Sequence, residues 1–292
     1  MTTSLQRWPL AGLLVAVAAL GLAACGGGKK AAKATNVTVG ISEAGKSAKY
    51  TMASSITGGL VHLSVSNTGK APHSAQLALI QGNHTTQEAL KVIQSQSPKT
   101  PDWLHAEGGA GQVPPGATAT ADVNLPAGRY LVGDFLGGPG PSGGPPGYAE
   151  LRVAGGKTGS LPGTPTTVDA ATAGKDRYRW KISGPLKSGV NAITFKSQGK
   201  EALHFVAAFR VTGHPSKAEI LKFLSSPGNA PPPRFVDQGS FDNTAILDGG
   251  KAQTTQLRLS KPGEYVLFCP LSDRNGGKSH DKEGLLTTVQ VK

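Results

Sequence analysis

The chain has 292 residues, 38% of them hydrophobic and only 5% aromatic, with 30 Lys and Arg against 18 Asp and Glu and a formal charge of +12 at pH 7. No run of lysines or arginines lies in the part expected to fold, and few aromatics stand among the charges. Nucleic acid is therefore excluded as the expected partner, and the basicity reads as a scattered surface charge that keeps the protein soluble among anionic polymers. The only two cysteines, Cys25 and Cys269, allow one disulfide at most.

Arg7 is the sole charge before Cys25, and the apolar run from Leu10 to Leu22 is short for a membrane span, so residues 1–24 read as a secretory signal. The residues Leu22-Ala23-Ala24-Cys25 that follow resemble the lipobox of bacterial lipoproteins. The resemblance implies cleavage before Cys25, lipid on its thiol, and residence on the extracytoplasmic face of the cell membrane. Residues 25–34, with Lys29, Lys30 and Lys33 among glycines and alanines, read as a flexible lipidated tether that favours an anionic lipid surface. Lipidation of Cys25 would leave Cys269 without a partner in the chain. An unpaired thiol in an oxidising compartment must be buried, metal-bound or paired with another protein.

Beyond the tether the chain divides at the Gly/Pro/Thr-rich segment 154–165, read as a linker between residues 35–153 and 166–292. The two parts match in order. Val61–Val65, a Gly-Lys turn, His73 and Ala75–Leu79 parallel Asn191–Phe195, a Gly-Lys turn, His204 and Val206–Val211. A short helix is predicted next in each, over Ala89–Ile93 and Ile220–Leu224, because Thr85 with Glu88 and Ser216 with Glu219 have the spacing of a capping box. Finally Gly128-Arg129-Tyr130-Leu131-Val132 parallels Gly263-Glu264-Tyr265-Val266-Leu267. This order indicates an internal duplication of an all-β sandwich domain with one inserted helix.

Each copy resembles a cupredoxin domain, the Greek-key β-sandwich of blue copper proteins. The likeness is to the bacterial envelope variety that ends Gly-x-Tyr-x-x-x-Cys, a Gly-rich loop, His-x-x-x-Gly-Met and a last strand. In the second copy the resemblance implies that His204, Cys269 and His280 supply two imidazoles and a thiolate to one copper ion, a donor set that suits both copper oxidation states. The pattern departs in two places: Leu285 stands where the family has an axial methionine, and ten residues separate Cys269 from His280. In the first copy Asp134 takes the cysteine position and Gly147 the histidine position, leaving His73 alone. Residues 35–153 are therefore expected to bind no copper and to act as a spacer or a binding surface.

The implied role is copper binding or electron carriage at the membrane face, with an envelope protein or redox partner and no enzymatic activity. Oxidases that share the fold carry further His-rich motifs absent here. A different reading stays open, a metal-free interaction module of the cell envelope. In it Cys269 is a small buried hydrophobe, His204 is satisfied by a backbone carbonyl, and His280 stands in a mobile loop. His62, His84, His105 and His214 read as ordinary strand or surface residues.

Overall fold

The computed structural model describes residues 33–292 apart from 45–46, 96, 98, 136–146, 176 and 227–229. The secretory signal, Cys25 and most of the tether lie outside the described residues. The first half comprises β1 (Thr35–Ala44), β2 (Ser47–Thr51), β3 (Ser55–Thr57), β4 (Gly59–Asn67), β5 (His73–Ile80), α1 (Thr86–Gln94), β6 (Leu104–Val113), β7 (Thr118–Leu125), β8 (Gly128–Gly133) and β9 (Tyr148–Ala154). The second comprises β10 (Thr166–Gly174), β11 (Arg177–Ser183), β12 (Gly189–Ser197), β13 (Leu203–His204), β14 (Ala207–Val211), α2 (Lys217–Leu224), β15 (Val236–Asn243), β16 (Leu247–Asp248), β17 (Ala252–Leu259), β18 (Gly263–Phe268) and β19 (Leu286–Val291).

The halves repeat one pairing scheme. The antiparallel hairpin β1–β2 and the parallel pair β1–β4 recur as β10–β11 and β10–β12. Likewise β4–β7, β5–β8 and β8–β9 recur as β12–β17, β14–β18 and β18–β19, all antiparallel. Successive strands thus cross between two stacked sheets in Greek-key order. Alternating apolar residues fill the space between the sheets, with Val61, Leu63 and Val65 of β4 in one core and Ile193 and Phe195 of β12 in the other. Each side chain of this size contributes about 1.5–3 kcal/mol when fully buried.

Local signals explain the remaining features of the repeat. Both helices carry the reciprocal capping box, Thr85 with Glu88 and Ser216 with Glu219. The Gly-x-Tyr strands place a fully buried tyrosine in each half, and its hydroxyl bonds the turn four residues upstream. Tyr130 donates to the Pro126 carbonyl at 2.8 Å, and Tyr265 accepts from the Lys261 amide at 3.2 Å.

The halves join edge to edge. A bridge between β17 and β7 at Thr254 and Asp122 makes one eight-stranded sheet, and β16 meets β6 at Leu247 and Glu107 in a seven-stranded one. Buried amides lock the seam: the Ile246 amide donates to Gln76 Oε1 at 2.6 Å and the Gly109 amide to Gln253 Oε1 at 2.8 Å. Lys251 also pairs with the buried Glu107 across it. Segment 155–165 carries no strand and lies against the first half, where Gly159 exchanges two 2.9 Å hydrogen bonds with the Asn124 side chain.

Candidate metal centre

Three elements converge at one end of the second sandwich. His204 closes the two-residue strand β13, Cys269 is the first residue after β18, and His280 comes from the loop between β18 and β19. The long loop returns to its start because the His280 amide donates to the Leu271 carbonyl at 2.7 Å and the Asp281 amide to the Cys269 carbonyl at 2.8 Å. Its far end is held by hydrogen bonds from the Leu285 amide to His280 O at 2.7 Å and from the Cys269 amide to Leu285 O at 3.1 Å. Gly284 lets it pass close to β11: with φ +122°, a Cβ there would lie 2.0 Å from the Tyr178 carbonyl oxygen.

His204, Cys269 and His280 are each 0% exposed, and their ligand atoms all lie within 4.8 Å of one another. Cys269 Sγ is 3.9 Å from His204 Nδ1 and 3.7 Å from His280 Nδ1. The Nε2 atoms point away to acceptors, His204 to the Gln198 carbonyl at 3.1 Å and His280 to Asp273 Oδ1 at 3.1 Å. A carbonyl or carboxylate oxygen can only accept, so in the neutral ring each Nε2 carries the proton and each Nδ1 offers its lone pair beside the sulfur. Asp273 Oδ1 also accepts from the Tyr178 hydroxyl at 2.8 Å, and the Tyr178 ring stands edge-on to both imidazoles, with centroids 4.6 and 4.7 Å away.

No family model matches the chain, and no curated protein matches it. Among solved structures, auracyanin B is similar at 20% identity and a TM-score of 0.30, over 43% of this chain and 86% of that one. Dithionite-reduced auracyanin from Roseiflexus castenholzii is similar at 20% identity and a TM-score of 0.27, over 41% and 98%. The blue copper oxidase of Nitrosomonas europaea is similar at 15% identity and a TM-score of 0.23, over 89% and 86%. The strand order repeated in the two halves makes each an all-β sandwich of one pattern, the fold that the resemblance to cupredoxin domains implied.

Within this sandwich, burial governs the protonation of the cluster. Loss of solvent pushes the Cys269 thiol up to about 12, opposed by the Phe205 and Leu271 amides beside it. Burial, and then the neighbouring His280, bring His204 down to about 3. Burial also lowers His280, against the pull of Asp273. Both imidazoles are thereby neutral near pH 7, with their lone pairs free. Leu285 is fully buried in the same core as Cys269 and brings no donor where the resemblance implied a methionine, and the Leu203 carbonyl oxygen lies 3.9 Å from the sulfur.

Two features of the metal-free reading hold individually, since Cys269 is buried and His204 does bond a backbone carbonyl. The third does not, because His280 is fully buried and turned towards the thiol.

The first copy needs one correction. The Asp134 amide donates to Gly147 O as the Cys269 amide does to Leu285 O, and Gly147 immediately precedes β9 as Leu285 precedes β19. Gly147 therefore corresponds to Leu285, and the counterpart of His280 falls within 136–146, outside the described residues and without a histidine in the sequence. Asp134 stands at the cysteine position as expected. It accepts from His73 Nδ1 at 2.9 Å and from Ser74 Oγ at 2.9 Å.

The other histidines are less plain than their sequence neighbours suggest. His62 bonds Asp122 and His105 bonds Asp248, each at 2.7 Å, and His214 bonds Glu264 at 2.8 Å; only the fold brings these carboxylates near. Residues 40–47, Gly40-Ile41-Ser42-Glu43-Ala44-Gly45-Lys46-Ser47, match the spacing of a phosphate-binding loop. Residues 40–44 of β1 pair with β2, from Gly40 opposite Thr51 to Ala44 opposite Ser47, so Ser47 begins a strand and not the helix that such a loop requires.

Proposed function

We propose that the protein holds one copper ion through His204 Nδ1, His280 Nδ1 and Cys269 Sγ and serves copper binding or single-electron carriage. The observation that carries this reading is the arrangement of the two rings, each with its Nε2 already engaged and its Nδ1 turned towards one thiol. Bonds of about 2.3 Å to sulfur and about 2.0 Å to nitrogen, with angles near 120°, place sulfur and nitrogen about 3.7 Å apart. The sulfur–nitrogen distances of 3.7 and 3.9 Å fit that spacing, and the two nitrogens, within 4.8 Å of each other, would close to about 3.5 Å around one ion. Soft thiolate and imidazole donors in a trigonal set favour copper. Zinc would seek a fourth ligand, and the fully buried Leu285 supplies none.

When bound, copper would supply a one-electron couple. The residues around the site exclude water, fix the two imidazole tautomers through Gln198 and Asp273, and hold the thiol in a rigid core, so that the ligands move little between oxidation states. The lipid on Cys25, expected from Leu22-Ala23-Ala24-Cys25, would keep this carrier at the extracytoplasmic face of the membrane, within reach of a redox partner.

Adding copper(II) to the chain from residue 33 onward should give one equivalent bound and an intense thiolate-to-copper band, absent in Cys269→Ser. A colourless wild type with no stoichiometric copper, oxidised or reduced, would overturn the proposal. The anchor is tested separately: labelled fatty acid should be incorporated into the full precursor in a bacterial host and not into Cys25→Ala.

A further inference from the structure

Between the thiol and the second imidazole, the ligand loop carries Arg274, an arginine that is only 5% exposed. Burial of a guanidinium costs heavily unless its donors are matched, and here they are matched largely by the other half of the molecule. Nη1 donates to the carbonyls of Pro101 at 2.8 Å and Leu104 at 2.7 Å, both in the first half. Nη2 donates to Asp248 Oδ2 at 2.7 Å, and Asp248 in turn accepts from His105 Nδ1 at 2.7 Å and the Ala106 amide at 3.0 Å, again in the first half. The backbone of the same residue is tied as well, its carbonyl accepting from the Thr100 amide at 2.8 Å and its amide donating to Glu201 O at 2.7 Å.

We infer that the first half, which shows no ligand cluster of its own among the described residues, braces the ligand loop of the second through Arg274. The residue before it is Asp273, which holds His280 Nε2. A rigid Arg274 therefore fixes Asp273, Asp273 fixes the imidazole, and the loop of ten residues between Cys269 and His280 behaves as a short one. Arg274 is a positioning residue with no contact to the metal donors. The inference deepens the copper reading, but the brace also acts on the metal-free protein, where it keeps the thiol covered.

The test uses the chain from residue 33 onward and compares wild type with Arg274→Met, which keeps the aliphatic stem and removes every guanidinium donor. Gln256→Ala, which breaks a different hydrogen bond between the halves, the one from Nε2 to Thr120 Oγ1 at 3.2 Å, is the control. In the metal-free proteins, Cys269 should react with a thiol reagent at least about tenfold faster in Arg274→Met than in wild type or Gln256→Ala, because the loop opens locally. Copper affinity should fall by about 10–100-fold, the range for partners that orient a ligand, with a shifted charge-transfer band.

Equal thiol reactivity in folded Arg274→Met and wild type would overturn the brace. If wild type takes up no copper while Arg274→Met still exposes the thiol, the copper reading fails and the brace stands. Should Arg274→Met not fold, Arg274→Met with Asp248→Asn, which leaves no charge buried alone, carries the same comparison.

Discussion

Where β18 ends, the second half buries a thiol between two ring nitrogens. Where β8 ends, the first half places a carboxylate against one. The strand frame around the two points is the same, down to the amide that bonds the residue before the last strand, Cys269 to Leu285 and Asp134 to Gly147. What differs is how the histidine is used. His204 spends Nε2 on a carbonyl and keeps Nδ1 for the thiol, whereas His73 spends Nδ1 on Asp134 at 2.9 Å and faces Glu43 with Nε2 at 3.6 Å. One duplicated frame thus yields two lone pairs turned to one thiol in one half and a ring nitrogen spent on a carboxylate in the other. A ligand position is defined by which ring nitrogen the surroundings leave unspent.

The largest effect that would break this contrast comes from Asp273. In Asp273→Ala the Nε2 proton of His280 loses its acceptor, the hydrogen bond from the Tyr178 hydroxyl to Asp273 is removed, and the imidazole ring is free to turn. Copper affinity is expected to fall about 10–100-fold, as for other residues that orient a ligand, with the fold intact by circular dichroism. Competition titration against a chelator of known affinity measures it. An unchanged affinity would show that Asp273 does not orient the imidazole.

A smaller effect is expected in the first half. His73→Leu removes the hydrogen bond to Asp134 and leaves that carboxylate with Ser74 alone. Loss of about 1 kcal/mol of stability is expected from the part-buried acceptor left with one partner fewer, read by chemical denaturation. Copper stoichiometry should stay at that of wild type. A loss of bound copper in His73→Leu would mean that the two halves are functionally alike after all.

Much of this frame was legible in the residues, for identifiable reasons. The capping boxes at Thr85 and Ser216, the Gly-x-Tyr strands and the paired Gly-Lys turns are local codes, and each forms as read. The gathering of His204, Cys269 and His280 was legible only through the resemblance of their positions to the cupredoxin pattern. The closure of the loop was not. It depends on Arg274 reaching Pro101 and Leu104, some 170 positions earlier in the chain, and no periodicity encodes such a contact. Gly147 was misplaced for a related reason: in a Gly/Pro-rich stretch with no histidine, the register shows only once Gly133 is seen opposite Tyr148 and Phe268 opposite Leu286. The carboxylates that meet His62 and His105 are equally non-local.

The smallest expected change in stability sharpens the comparison from the axial side. Leu285 and methionine have similar volume, so Leu285→Met in this fully buried position should shift stability by less than about 1.5 kcal/mol. The backbone bonds on either side, from Leu285 N to His280 O and from Cys269 N to Leu285 O, do not involve the side chain and should persist. A thioether delivered there would add a weak donor to the site. The reduction potential and the charge-transfer spectrum should therefore shift relative to wild type, while stoichiometry stays the same. An unaltered potential and spectrum would mean that the side chain of residue 285 does not face the donor cluster.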